Sequence, residues 1–466
     1  MRIAGTVLLF VLLLAAGAFL LAGRAAPPAI EFAQPGALVG REGTLAFTVA
    51  APRGALSSLE VALEQNGTRV PLGTLADNAL TLAQAGEDLV SVSRPLGRTS
   101  VPQLAEGPAR IVVTAARPVL FGLRQAAATA TRDFTVRLTP PRVGIVSLHH
   151  FINHGGSELV VYRATPPDVV SGVLVGDREF PGYPASAAGV TGADPSLHVA
   201  FFALAWDQDL GAPIRLFARD AAGNLATAPF DYRVFPKPFR ASRIDIPDTF
   251  LQRVVPAILE NTPSLTVDDP GDLLAAFLRI NRDLRHENNA TIEQLAARTG
   301  DRMLWSQPFL QLGNSKVEAS FADQRTYLYH GEEVDRQVHL GFDLAVTARI
   351  PVRAANDGVV IFAGWLGIYG NCVVVDHGLG VQSLYAHLSS VDVKDGDRVS
   401  RDSVLGRSGM TGLAGGDHLH FTMLVHGVQV TPVDWWSRQW VEDRILRKLR
   451  EAGAPAGAQA AAAGTP

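Results

Sequence analysis

Apolar and polar positions alternate in short runs from residue 26 to about residue 139, as at residues 44–49 (TLAFTV), 59–63 (LEVAL) and 111–114 (IVVT), with turn residues between them. A period of two turns every second side chain to the same face, the pattern of half-buried strands. A second segment of this kind, residues 140–238, opens at Pro140-Pro141 and includes residues 143–148, 158–162, 199–205 and 214–218. Strands recurring every ~8–12 residues predict two β-sandwich-like modules, 26–139 and 140–238. The period then changes. Residues 268–285 open with Asp and Pro and place apolar residues at Leu273, Leu274, Phe277, Leu278 and Ile280, and residues 291–299 continue in that manner. This predicts a short helical connector over 239–305. Strand-like runs resume at 359–362, 372–375 and 381–385, within a last domain expected over 306–440. The Ala/Gly/Pro-rich end, 441–466, is expected to be a disordered tail.

The chain begins differently. Residues 3–23 carry no charge, and about twenty residues at ~1.5 Å each would span a hydrocarbon core of ~30 Å. Residues 1–25 therefore read as a signal-anchor, a single transmembrane helix, with Ala-type cleavage near Ala25 or Ala26 as the alternative. Either reading sends the bulk of the chain across a membrane. No cysteine follows the apolar run, which excludes a lipoprotein anchor.

Composition narrows the chemistry. With 41 basic and 45 acidic residues the charge is nearly balanced, so nothing points to nucleic acid as a partner. Cys372 is the single cysteine, which rules out an intramolecular disulfide and any zinc site of several thiolates; in its apolar run it reads as a small buried hydrophobe. Seven of the twelve histidines lie between His330 and His426, and that crowding marks where the chemistry is.

Three strings stand out there: His339-Leu-Gly-Phe-Asp343, Tyr385-Ala-His387-Leu-Ser389 and Asp417-His418-Leu-His420-Phe421. In a strand, His418 and His420 share a face. His339 and Asp343 meet if the chain turns at Gly341. Two histidines and one carboxylate, with a fourth position left to water, make a catalytic zinc site, and the surplus histidines are what catalysis would use. Elsewhere, His149, His150 and His154 lack a nearby carboxylate and read as an exposed loop. His330 and His426 read as exposed and His377 as structural. Trp435, Trp436 and Trp440 read as packing residues, with a carbohydrate platform as the sharper alternative. His286-Glu287 lacks the second histidine of an H-E-x-x-H zinc motif.

Taken in order, these strings resemble the lysostaphin/LytM-type zinc metallopeptidase family, over about residues 309–436. Ser320-Phe321, Pro351-Val352, Asp357-Gly358-Val359-Val360, Tyr369-Gly370-Asn371 and Asp376-His377-Gly378 carry the same resemblance. It implies an antiparallel β peptidase domain, so the whole chain is expected to be mainly β. It implies one Zn2+ per chain held by His339, Asp343 and His420, with His387 and His418 as the catalytic histidines, their roles left open between them. It implies a metalloendopeptidase acting on peptidoglycan stem peptides, a cell-wall hydrolase. The alternative is a catalytically silent LytM-like regulator that activates a wall amidase; such forms lack ligands, whereas all three are present here. Ala322, where the family commonly has Gly, and Asp417, where a small residue or Pro is frequent, are departures at the rim. The helical stretch and the loop around Asn314 are candidates for covering the groove.

Overall fold

The computed structural model describes residues 2–22, 24–51 and 55–453. The chain is mainly β and divides into two compact units, Met1–Pro141 with Arg219–Ala226, and Arg142–Ala218 with Thr227–Pro466. In the first unit the N-terminal apolar stretch forms helix α1 (Arg2–Ala22). Counted over the described residues, no helix is long and apolar enough to cross a membrane, so the expected transmembrane helix stays a proposal. The rest of this unit is a sandwich of a four-stranded and a five-stranded sheet. Leu45, Phe47 and Val49 from one sheet meet Leu59, Val61, Ile111 and Val113 from the other in a single core. The alternation seen in the sequence is the inward face of each sheet.

The second β segment is not a free-standing module. Its strands Ser157–Thr165 and Leu197–Ala203 are almost wholly buried, and their side chains belong to one core with the C-terminal domain. Phe201 lies 6.3 Å from Trp305 and 6.0 Å from Trp435, ring centre to ring centre. Trp435 is fully buried, which excludes it as a carbohydrate platform. The triad His149, His150, His154 also departs from the exposed-loop expectation. His149 is exposed, but His150 is buried between Ser147 Oγ (2.8 Å) and the Asp231 carbonyl (2.9 Å), where desolvation and then Lys448 lower its pKa from 6.5 to about 4.

The tail expected from residue 441 is instead helical as far as it is described: Arg438–Val441 continues through a π-type turn, Glu442–Leu446, into Arg447–Ala452. Val441, Ile445 and Leu449, at i and i+4 spacing, are buried in the shared core. Lys448 Nζ reaches Glu158 Oε1 at 3.0 Å and the Leu159 carbonyl at 2.9 Å. Its anchor lies about 290 residues upstream, so local composition does not reveal it. The remainder of the expected tail, residues 454–466, lies outside the described residues.

The C-terminal sheet has eight strands. We number those used below β1 (Lys316–Ala319), β2 (Asp323–Tyr329), β3 (Glu332–His339), β4 (Phe342–Ala345), β5 (Gly358–Trp365), β6 (Asn371–Asp376), β7 (Val381–Leu388), β8 (Arg398–Val399), β9 (Leu419–Val425) and β10 (Val428–Val430). The main sheet runs β1-β4-β9-β7-β6-β5-β8 with β10 beside β9, while β2 and β3 pair with Ala241–Asp245 in a separate sheet. One face of the main sheet carries Val381, Tyr385, Phe421 and Met423 into the shared core. The other carries Leu384, Ala386, Leu424, Val374 and Cys372 against helices α2 (Asp248–Asn261), α3 (Leu273–Arg279) and α4 (Arg285–Gln294).

The helical stretch is therefore a packed layer rather than a connector. Leu251, Val254, Val255 and Ile258 form the buried stripe of α2, a helix the sequence reading passed over. Asp272 caps α3 by accepting from the Ala275 amide at 2.9 Å, and α3 runs through a π-type turn into α4. Cys372 is buried among these apolar side chains, which push its thiol pKa upward.

Candidate metal centre

The five histidine and aspartate positions singled out above converge at one end of the sheet face that the helices cover. Asp343 on β4 is in register with His420 on β9, and His420 with Ala386 on β7. Directly paired residues point to the same face, so Asp343 and His420 project together. His339 ends β3 in the neighbouring sheet, and only Leu340 and Gly341 separate it from β4. That short crossing swings the ring over the carboxylate. Gly341 is needed for its lack of bulk: a Cβ there would stand 2.4 Å from His420 Nε2.

His387 poses a problem that alternation alone does not solve. On a regular β7 it would share the face of Ser383 and Tyr385, opposite to His420. The β6–β7 register slips between Asn371 and Val373, a bulge, and His387 takes a left-handed φ of +61°. Both bring its ring onto the His420 face, with ring centres 4.9 Å from His418 and 5.7 Å from His420. Bulges beside active sites re-aim side chains in this way.

The donor atoms form a tight triangle. His339 Nε2 is 2.9 Å from Asp343 Oδ1 and 2.9 Å from His420 Nδ1, and the third edge, His420 Nδ1 to Asp343 Oδ1, is 3.1 Å. His339 Nδ1 donates to the Ser320 carbonyl at 3.2 Å, which leaves Nε2 with a bare lone pair. Burial lowers the His420 pKa from 6.5 to about 4, so this ring is neutral near pH 7. Burial alone would raise the Asp343 pKa, but His339, His418 and His420 hold it well below the usual carboxylate range. Two imidazole nitrogens and a carboxylate oxygen crowding one point are a set that a divalent cation satisfies.

The remaining two histidines, His387 and His418, line the same cavity. His387 Nδ1 donates to the Thr411 carbonyl at 2.8 Å and His418 Nδ1 to the Gly416 carbonyl at 2.9 Å, so each offers Nε2 to the site. Their environments differ. Burial first, then the neighbouring His418 and His420, drive the His387 pKa well down. Burial also opposes charge on His418, yet the Asp343 carboxylate, 3.4 Å from its Nε2, raises its pKa overall.

Arg325 is a site residue that the motifs did not flag. Its Nη2 donates to Asp343 Oδ2 at 2.9 Å, and Nε lies 3.6 Å from Asp323 Oδ2. The signal was the inward run Asp323, Arg325, Tyr327 on alternate positions of β2. The two rim departures also have physical roles. Ala322 is fully buried at φ +61°, its amide donating to the His339 carbonyl at 2.7 Å. Asp417 accepts from Ser408 Oγ at 2.6 Å and from the Arg349 amide at 3.1 Å, which ties the rim loop down.

The other histidines stay out of the centre. His377 is buried with Nδ1 2.7 Å from the Asp357 carbonyl and Nε2 2.7 Å from Ser383 Oγ, a structural brace. His330 is exposed. His426 sits in a two-residue hairpin turn with Gly427, but its ring stacks on Tyr183 with centres 6.0 Å apart rather than facing solvent. Of the two segments expected to cover the groove, α4 lines the site cavity with Arg285 and Asn289, and Asn314 does not.

His339, Asp343 and His420, with two further histidines beside them on an antiparallel sheet, form a group that could hold a metal ion. Residues 337–432 match the Peptidase family M23 model. Among curated proteins it is 43% identical over 97 residues to the DD-carboxypeptidase/endopeptidase Mpg of Neisseria meningitidis, covering 21% of this chain and 22% of that protein. It is 42% identical over 89 residues to the peptidoglycan DD-endopeptidase ShyA of Vibrio cholerae, covering 19% of this chain and 21% of that one. The chain thus matches about a fifth of the length of these relatives. A solved peptidase M23 structure from Pseudomonas aeruginosa aligns with a TM-score of 0.36 at 21% identity, over 61% of this chain and 94% of that chain.

Proposed function

We propose that the protein is a zinc metalloendopeptidase that hydrolyses peptide cross-links of bacterial peptidoglycan. The carrying observation is the triangle of His339 Nε2, Asp343 Oδ1 and His420 Nδ1, with edges of 2.9 to 3.1 Å. These three residues would hold Zn2+, which when bound supplies an acidified water and a Lewis acid for the scissile carbonyl.

The chain's own groups do the rest. His387, held neutral by burial, is suited to accept a proton at Nε2, which its Nδ1 bond to Thr411 keeps bare. His418, the ring whose charged form is favoured, is suited to donate a hydrogen bond to the developing oxyanion and a proton to the leaving amine. Arg325 holds Asp343 in its ligand orientation through the second carboxylate oxygen. The substrate class follows from the relatives, whose names are those of peptidoglycan peptidases. A bond from D-Ala to a diamino acid is the first expectation and an oligoglycine bridge the second. Anchoring through α1, with the remaining chain facing the wall, belongs to the same proposal.

The test is zinc content and muropeptide release from sacculi, for the full chain and for His420→Ala and His387→Ala. One zinc per chain with cross-links cut is the expected result. His420→Ala should lose both, and His387→Ala should keep zinc while losing at least ~100-fold in rate. Zinc without cleavage would point to latency or a wrong substrate, and no zinc at all would favour the silent amidase-activating regulator.

A further inference from the structure

Two guanidinium groups line the site cavity, Arg325 and Arg285, against a single carboxylate, Asp343. Arg325 is committed to that carboxylate at 2.9 Å. Arg285, on α4, has no carboxylate partner among the described residues. It is nevertheless held in place. Its Nε donates to the Asn281 carbonyl at 3.0 Å and its Nη2 to Asn281 Oδ1 at 2.5 Å. Asn281 is itself fully buried, with Nδ2 donating to Asp335 Oδ2 at 2.8 Å, and Asp335 is paired with Arg282 at 2.9 Å. Two corners of the Arg285 fork are thus fixed from below, and its Nη1 carries no bond to the described residues. The helix is also pinned to the rim: Asn288 Oδ1 accepts from the Ile368 amide at 2.9 Å, and Asn289 Oδ1 from Tyr369 Oη at 3.0 Å. The Tyr369 ring in turn packs edge-on to His420 with centres 5.5 Å apart.

A half-buried, oriented cation without a counter-ion, lining the same cavity as the donor triangle, is poised for an anion from outside the protein. From this placement we infer that Arg285 is a specificity-determining residue that receives a free carboxylate of the peptide substrate near the scissile bond. The inference rests on the peptidase reading above and goes beyond it by naming the group selected. Two carboxylates fit this chemistry: the terminal α-carboxylate of the acyl-acceptor strand, or a side-chain carboxylate of a residue flanking the cleaved bond.

The experiment compares kcat/KM of the zinc-loaded full chain on three forms of one cross-linked stem-peptide dimer: the free acid, the C-terminal amide and the side-chain amide. One of the amides should fall about 10- to 100-fold below the acid, the size of a lost charge-assisted hydrogen bond, and which one falls identifies the carboxylate. Arg285→Gln should bring the acid-to-amide ratio close to one, and Arg285→Lys should restore part of it. A purely structural role for Arg285 would lower both substrates together and leave the ratio unchanged. Calorimetric binding of the same peptides to zinc-free chain supplies a readout independent of turnover. There the acid should bind more tightly than the affected amide, and the difference should vanish in Arg285→Gln. Equal handling of acid and amides by the wild-type chain overturns the inference while leaving the peptidase reading intact. If no form is cleaved, the peptidase reading fails, and the binding comparison still decides whether Arg285 selects a carboxylate.

Discussion

At the scale of single residues, the centre depends as much on what surrounds the donors as on the donors. Arg325 bonds the Asp343 oxygen that faces away from the donor triangle. Outer partners of this kind set ligand orientation, and their loss typically costs ~10- to 100-fold in metal affinity. Arg325→Met, which keeps length and removes the charge, should weaken zinc binding by about that factor in competition with a chromophoric chelator. Gly341 acts by its size. A methyl group there would meet His420 Nε2 at 2.4 Å, so Gly341→Ala should displace that ring and lose zinc while retaining the far-UV circular dichroism of the folded chain. Neither effect needs a change in any ligand.

Element by element, the site is made by irregularities in otherwise regular strands. The register slip opposite His387 and the two-residue crossing from β3 to β4 place side chains that period-two alternation would separate. The structural histidines sit at strand ends instead. His150 and His377 are buried, and burial lowers both pKa values from 6.5 to about 4. The folded state thus binds fewer protons than the unfolded state between those values. Their contribution is complete above pH 6.5 and is lost as pH falls toward 4, on the order of 3 kcal/mol for each. Urea unfolding of the zinc-free chain should accordingly show a midpoint that drops steeply between pH 7 and pH 5. A flat profile would mean that these rings are not buried neutral.

For the molecule as a whole, the second β segment, the helical layer, the peptidase sheet and the C-terminal helix form one cooperative body. Residues 142–218 and 227–466 cluster as one unit. Trp435 packs between Phe201 and Phe309, and Lys448 is buried against Glu158. Cutting the chain at residue 240 would expose Trp305 and Trp435 and strip Val441, Ile445 and Leu449 of the strands in whose core they are buried. A fragment of residues 240–453 should therefore aggregate or melt well below one of residues 142–453, as differential scanning calorimetry would show. Equal melting temperatures would mean that the second segment is a dispensable spacer. The helical layer should be just as indispensable, because Leu384, Leu424 and Val374 lie beneath it.

The sequence alone determined where the histidine and aspartate donors lie along the chain. Histidine crowding, the His339–Asp343 spacing and the His418–His420 alternation were legible because metal ligands must be particular residue types, and strand periodicity is a local property. The mainly β character was legible for the same reason. Only the tertiary structure decided which face His387 joins, since that depends on a bulge set by a neighbouring strand. It alone decided that residues 441–453 are an anchored helix, because their partner Glu158 lies far upstream. The same holds for Arg285 and Arg325. Each is an unremarkable charge in its own segment, and each acquires a role only when folding brings it to the cavity that His339, Asp343 and His420 line.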